Sequence, residues 1–168
     1  FVSSVVGVFE KIVSQLTIIM CFQSLILDMA GNVGTQSLAV TIRVLMDESL
    51  TGKQKVELVF KEMKIALSNG TILGILSFLV LGLYIALFKG KTWAFAYAVS
   101  GCIGLSLTLA MVISGAVGTL IPLFFKKINV DPAVASGPLI TTVNDLVAVI
   151  TYYGLCGMLL VGVLHLAG

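Results

Sequence analysis

Asp145 is a lone carboxylate inside the apolar run Pro138-Leu-Ile-Thr-Thr-Val-Asn-Asp-Leu-Val-Ala-Val-Ile150, and no Lys or Arg follows it. A carboxylate near the middle of a bilayer costs roughly 2.5–3.5 kcal/mol on insertion scales, so its presence there points to function. With no basic partner nearby in sequence, its counter-charge is expected from outside the chain, and a translocated cation fits. The competing reading is a structural pair within the bundle, with Arg43 as partner.

Two polar patches interrupt otherwise apolar segments: Asp28, Asn32, Thr35 and Gln36 in one, and Thr141, Thr142, Asn144 and Asp145 in the other. Helical periodicity places Asp28, Asn32 and Thr35 on one face, and Thr141, Asp145, Ala148 and Tyr152 on another. Asp28, Thr35, Gln36, Thr142, Ala148 and Tyr152 are accordingly the candidates to line a pore beside Asn32, Thr141 and Asp145. Oxygen-rich faces without His or thiolate suit a hard cation such as Mg²⁺, Ca²⁺ or Na⁺ better than Zn²⁺ or Cu. One carboxylate per chain cannot fill a calcium-type cage of six to eight oxygens, whereas Mg²⁺ keeps its waters and needs only one or two carboxylates. Two chains around a two-fold axis would bring two Asp145 carboxylates to one divalent ion, so a homodimer with an axial pore is expected.

Composition says what must hold these residues. Hydrophobic residues make up 58% of the 168 and charged residues 11%, with mean hydropathy +1.12. A soluble domain carries about a quarter charged residues, so the chain is expected in a lipid bilayer. A net charge of +2 is too small to argue for a nucleic-acid partner, and none is expected. Neither Ser106 nor Ser114 has a neighbouring base, no HExxH spacing occurs, and no enzymatic role is expected. Cys21, Cys102 and Cys156 read as small buried hydrophobes, and His165 as an interfacial residue.

A crossing helix needs about 20 apolar residues. The chain opens on an apolar stub, 1–8, which reads as the end of a truncated first span, with Glu10 and Lys11 marking a turn. The second apolar region, 12–46, is too long for one straight crossing and contains Asp28-Met-Ala-Gly-Asn-Val-Gly-Thr-Gln-Ser37, so a kinked or tilted helix is expected. Between 47 and 64, Val56, Val59, Phe60 and Met63 recur among eight charges, the pattern of an amphipathic helix lying on the membrane surface. Further spans follow at about 66–88, 93–125 and 132–166. In the fourth span Ser106, Ala110, Ser114 and Gly118 form a small-residue stripe suited to close helix packing. The positive-inside rule, applied to Arg43, Lys53, Lys55, Lys61, Lys64, Lys126 and Lys127 against Lys89 and Lys91, makes the loops 47–64 and 126–131 cytoplasmic and puts the C-terminus outside. The expected fold is an all-α polytopic membrane protein of five transmembrane helices per subunit.

Gly31-Asn-Val-Gly-Thr-Gln-Ser37 together with Asp131-Pro-Ala-Val-Ala-Ser-Gly-Pro-Leu-Ile-Thr-Thr-Val-Asn-Asp145 strongly resembles the transmembrane domain of the MgtE family of magnesium channels. The likeness covers nearly the whole chain, so 1–168 is expected to be one such pore domain; the soluble N-terminal and CBS domains of full-length members have no counterpart in this sequence. The resemblance implies a homodimer whose second and fifth helices line a central Mg²⁺ pathway. It further implies that Asp145 binds Mg²⁺ through hydration water and that Thr141 offers its backbone carbonyl to the same ion. Asn32 would lie near the pore, and Asp131 at the cytoplasmic entrance. Asp28 falls where that family's pattern implies an apolar or small residue. Two activities remain open: passive Mg²⁺ conduction, with Mn²⁺ and Co²⁺ as competing ions, and a secondary transporter coupling Mg²⁺ to Na⁺ or H⁺, with Asp28 as a second ionisable site.

Overall fold

The computed structural model describes residues 2–10, 17–47, 50–135 and 138–163. Its α-helices are the stub α1 (Val2–Val8), α2 (Gln23–Asp47), α3 (Gly52–Phe88), α4 (Trp93–Lys127) and α5 (Pro138–Cys156). A 3₁₀ segment, Thr17–Phe22, leads into α2, another, Pro132–Ala135, precedes α5, and a π-helical segment, Gly157–Val163, continues it. Among the described residues four helical stretches are long and apolar enough to cross a membrane. The chain is an all-α, multi-pass membrane protein. His165 lies outside the described residues.

The helix most apolar on all sides, α4, sits at the centre, with α2, α3 and α5 packed around it. Its small-residue stripe is the packing face the sequence suggests: Ser106, Ala110 and Ser114 are wholly buried, and Gly118 is buried with them. A Cβ placed on Gly118 would overlap the carbonyl oxygen of Gly34 in α2, so only glycine lets these two backbones meet. Asn144 of α5 fills the remaining corner. Its amide presses against Gly34, where any side chain would collide with it.

One expectation is corrected by α3. The charged segment does not lie as a separate surface helix; it is the first part of one 37-residue helix that runs without a break into the third span. At 1.5 Å per residue that helix is ~55 Å long, against ~30 Å of hydrocarbon, so it projects well beyond the membrane. Thr51 starts it with a reciprocal cap: the hydroxyl accepts from Gln54 N–H and Gln54 Oε1 accepts from Thr51 N–H at 2.8 Å. The face turned inward is a different one from the apolar positions Val56 and Phe60. Val56 and Phe60 are 55% and 58% exposed, while Leu58, Glu62, Ala66, Gly70 and Gly74 form the buried stripe.

Of the kinked or tilted alternatives for the second span, α2 shows no kink at the polar patch. The change of pitch comes at Phe22–Gln23, where 3₁₀ gives way to α, and the glycine-containing polar patch is itself regular α-helix. The turn between α3 and α4 has Gly90 at φ +60°, with Lys89 over the Tyr84 ring and Lys91 over the Phe95 ring. Aromatic residues and snorkelling lysines at one end of a helix pair mark a membrane–water boundary. The cysteines divide. Cys102 and Cys156 are buried with sulfurs 3.4 Å apart, as small core residues, but Cys21 is exposed, against expectation.

Candidate ion site

Helices α2 and α5 enclose a groove of about 470 Å³ lined by Ser24, Leu27, Asp28, Gly31, Asn32, Thr35, Thr141 and Asp145. Two polar patches more than a hundred residues apart in sequence are thereby joined. The face predicted for α2, Asp28–Asn32–Thr35, is the face that lines the groove, and Asp145 stands on the opposite wall. Asp28, Asn32, Thr35 and Thr141 are exposed to it and Asp145 is half-buried. Ser24, not among the candidates read from the sequence, also lines the groove; it lies one helical turn from Asp28 and the same periodicity finds it.

Inside the groove the polar atoms are arranged to accept. The Thr35 hydroxyl donates to Gly31 O at 2.8 Å, which spends its proton on the backbone and leaves its oxygen lone pairs toward the groove. The Asn32 amide reaches toward the Asp28 carboxyl at 3.5 Å, a long contact that leaves its carbonyl oxygen uncommitted. Ion pairing does not account for either aspartate: among the described residues the ion pair present is Lys53–Glu57, far along α3. Arg43 is exposed and lies fifteen residues beyond Asp28 on α2, about 22 Å along the axis. The structural pairing of Arg43 with Asp145 therefore finds no support. Two carboxyl groups, rather than one, face the groove, and the set as a whole is rich in oxygen atoms of the kind that suit a hard cation.

The model of a family described as divalent cation transporters, MgtE, matches residues 23–155, from the first residue of α2 almost to the end of α5. The chain belongs to the MgtE family. It is similar to the magnesium transporter MgtE of Bacillus subtilis, at 35% identity over 152 residues, 90% of this chain and 32% of that protein. Enterococcus faecalis has a magnesium transporter MgtE that is 34% identical over 93% of the chain and 32% of its own length. The Thermus thermophilus protein of the same name is 29% identical over 94% of the chain and 33% of its own length. The chain thus spans about a third of each of these MgtE relatives, and the matched family region contains both walls of the groove.

Several candidate residues fall elsewhere. Ala148 and Tyr152 share a face of α5 with Thr141 and Asp145, yet both are fully buried and neither lines the groove. Both belong to the buried apolar core, and the Tyr152 hydroxyl donates to Ile19 O of the 3₁₀ segment before α2 at 2.7 Å. Periodicity gives the face correctly but cannot show that its second half is packed into the core. Tyr152→Phe should cost about 1 kcal/mol, read as a lower melting temperature in detergent, with ion occupancy unchanged. Gln36 lines a different groove, about 320 Å³ between α2 and α3, with Asn32, Asn69 and Met111; Asn32 stands between the two. Thr142 is exposed and is not among the residues lining either groove. Asp131 is apart from Asp145, in a polar pocket with Met46, Lys126 and Asn129, where its carboxyl accepts from Ala133 N–H at 2.9 Å.

Proposed function

We propose that the chain is the pore domain of a Mg²⁺ channel, a homodimer in which two α2–α5 grooves face each other across the axis and enclose a path for the hydrated ion. The observation that carries this reading is the single groove holding Asp28, Asn32, Thr35, Thr141 and Asp145, open on one side. One copy supplies two carboxyl groups on an open surface; two copies supply four around an enclosed path. A divalent ion offsets the repulsion that would otherwise keep such groups from ionising together. Mg²⁺ dehydrates reluctantly, and a roomy oxygen lining accommodates it with its waters. The magnesium transport named for the relatives is consistent with that chemistry. On this reading Asp145 binds Mg²⁺ through water and Thr141 lends a carbonyl. Asp131 stands at the cytoplasmic mouth with the basic ends of α3 and α4, and the C-terminal end lies outside.

One observation favours a second activity, coupled transport. Asp28 and Asp145 share the groove, and two ionisable groups would permit exchange of Mg²⁺ against Na⁺ or H⁺. Mg²⁺ flux into liposomes containing the protein separates the two. A channel carries Mg²⁺ down its own gradient at a rate indifferent to imposed Na⁺ and pH gradients, and gives single-channel currents. Flux that requires either gradient would establish the transporter instead.

A further inference from the structure

Glu62 is 3% exposed, in the middle of the buried stripe of α3. Its Oε2 accepts a hydrogen bond from the Ser37 hydroxyl of α2 at 2.9 Å. Ser37 is 2% exposed, and its own carbonyl accepts from the Thr41 hydroxyl at 2.8 Å. On the α4 side the Glu62 backbone packs beside Gly115, where a Cβ would lie 3.6 Å from Glu62 O. The same Cβ would touch Val33 of α2 at 3.5 Å and Ala66 of α3 at 3.1 Å. Glu62 thus sits where three helices meet, and its carboxyl has no Lys, Arg or His partner within ion-pair distance among the described residues.

Helices α2 and α3 otherwise make almost no direct contact, because α4 lies between them over most of their length and a groove separates them beside it. The Ser37–Glu62 bond is therefore the polar tie across a sparse interface. Its place on α2 matters. Ser37 comes two residues after Thr35 and five after Asn32, on the face turned away from the ion groove, so holding Ser37 sets the rotation of the helix whose other face carries Asp28, Asn32 and Thr35. Desolvating a carboxyl group for a single hydrogen bond costs stability relative to an apolar residue of similar size. As a stabilising element it is a poor choice. As a directional anchor it is a good one, since a hydrogen bond fixes angle where apolar contact does not.

We propose that Glu62 is a positioning residue for the ion site: through Ser37 it holds α2 in the rotation that presents Asp28, Asn32 and Thr35 to Asp145. This rests on the ion pathway proposed above. The test is the Mg²⁺-concentration dependence of flux in liposomes for the wild-type chain, Glu62→Ala, Ser37→Ala and Glu62→Gln, each scored against its content of folded protein. Glu62→Ala and Ser37→Ala should each raise the half-saturating Mg²⁺ concentration about tenfold per folded molecule. Combined, they should do no more than either alone, because both delete one tie. Glu62→Gln keeps an acceptor oxygen in place and should stay within about twofold of wild type. If Glu62→Ala does not fold, Ser37→Ala, which removes a single atom, reads the same bond. Unchanged half-saturation in folded Ser37→Ala, with or without loss of yield, overturns the proposal and leaves Glu62 a packing residue. Absence of saturable Mg²⁺ flux in the wild-type chain would instead overturn the ion pathway itself.

Discussion

Asp145→Ala should abolish Mg²⁺ flux through a protein that still folds, and Asp145→Asn should come close to doing so. The asparagine keeps shape and a carbonyl oxygen but removes a negative charge, two in the dimer proposed above. At an effective dielectric of about 20, a unit charge and a divalent ion ~5 Å apart, with water between, interact by roughly 7 kcal/mol. Desolvation and repulsion between the carboxylates offset much of that. A net loss of about 3 kcal/mol still weakens occupancy on the order of a hundredfold. Folding should survive, since among the described residues no cation is paired with Asp145 to be left stranded. Asp145→Glu should retain partial flux, because the charge remains but its position shifts by a methylene. Each variant's flux in liposomes is read against its folded content in detergent. Normal Mg²⁺ flux through folded Asp145→Ala would remove Asp145 from the mechanism.

The largest effect on folding is expected at the crossing of α2 and α4. Gly118→Val places atoms where the Gly34 carbonyl oxygen sits, with the carbonyl carbon 3.0 Å from the first of them. The obstacle is backbone, so no rotamer change relieves it; α2 must leave α4, and the groove wall carrying Asp28 and Asn32 moves with it. Overpacking of this kind costs typically 1–3 kcal/mol, and more where the obstacle cannot yield. Gly118→Val should therefore lower the melting temperature by many degrees or prevent recovery of folded protein, and Gly118→Ala should do so less severely. Ser114→Ala, one turn away on the same stripe, is the contrast. Its buried hydroxyl has no hydrogen-bond partner among the described residues, so deletion should be neutral or slightly stabilising. Gly118→Ala melting with the wild type would contradict the close approach.

The groove between α2 and α5 was legible in the sequence because two independent periodicities met in it: Asp28, Asn32 and Thr35 on α2, and Thr141 and Asp145 on α5. Both patches are costly in a membrane unless they face protein or water, and that cost is what makes them visible. Ala148 and Tyr152 misled because a helix face is a property of one element, whereas exposure depends on what lies against it, and both are packed into the core. Glu62 was hidden for the opposite reason. It stands between Lys61 and Lys64 in the most charged stretch of the chain, and hydrophobic patterning sorts such a residue outward. Its burial follows from the four-residue spacing Leu58, Glu62, Ala66, Gly70, Gly74, which becomes readable once α3 is seen to run unbroken into the membrane. That continuity was obscured by the change from charged to apolar composition at about residue 65, which marks a change of surroundings and leaves the backbone regular.

Whether Mg²⁺ occupies the groove between α2 and α5 can be asked of Thr35 directly. In a Cys21→Ser background, which removes the exposed native thiol, Thr35→Cys puts a reactive sulfur on the groove wall opposite Asp145. The rate at which a charged methanethiosulfonate reagent modifies it is then measured with and without millimolar Mg²⁺. An ion held between the two walls should slow modification severalfold, and adding Asp145→Asn should abolish that protection. Equal rates with and without Mg²⁺, in folded protein that transports the ion, would show that Mg²⁺ crosses by another route.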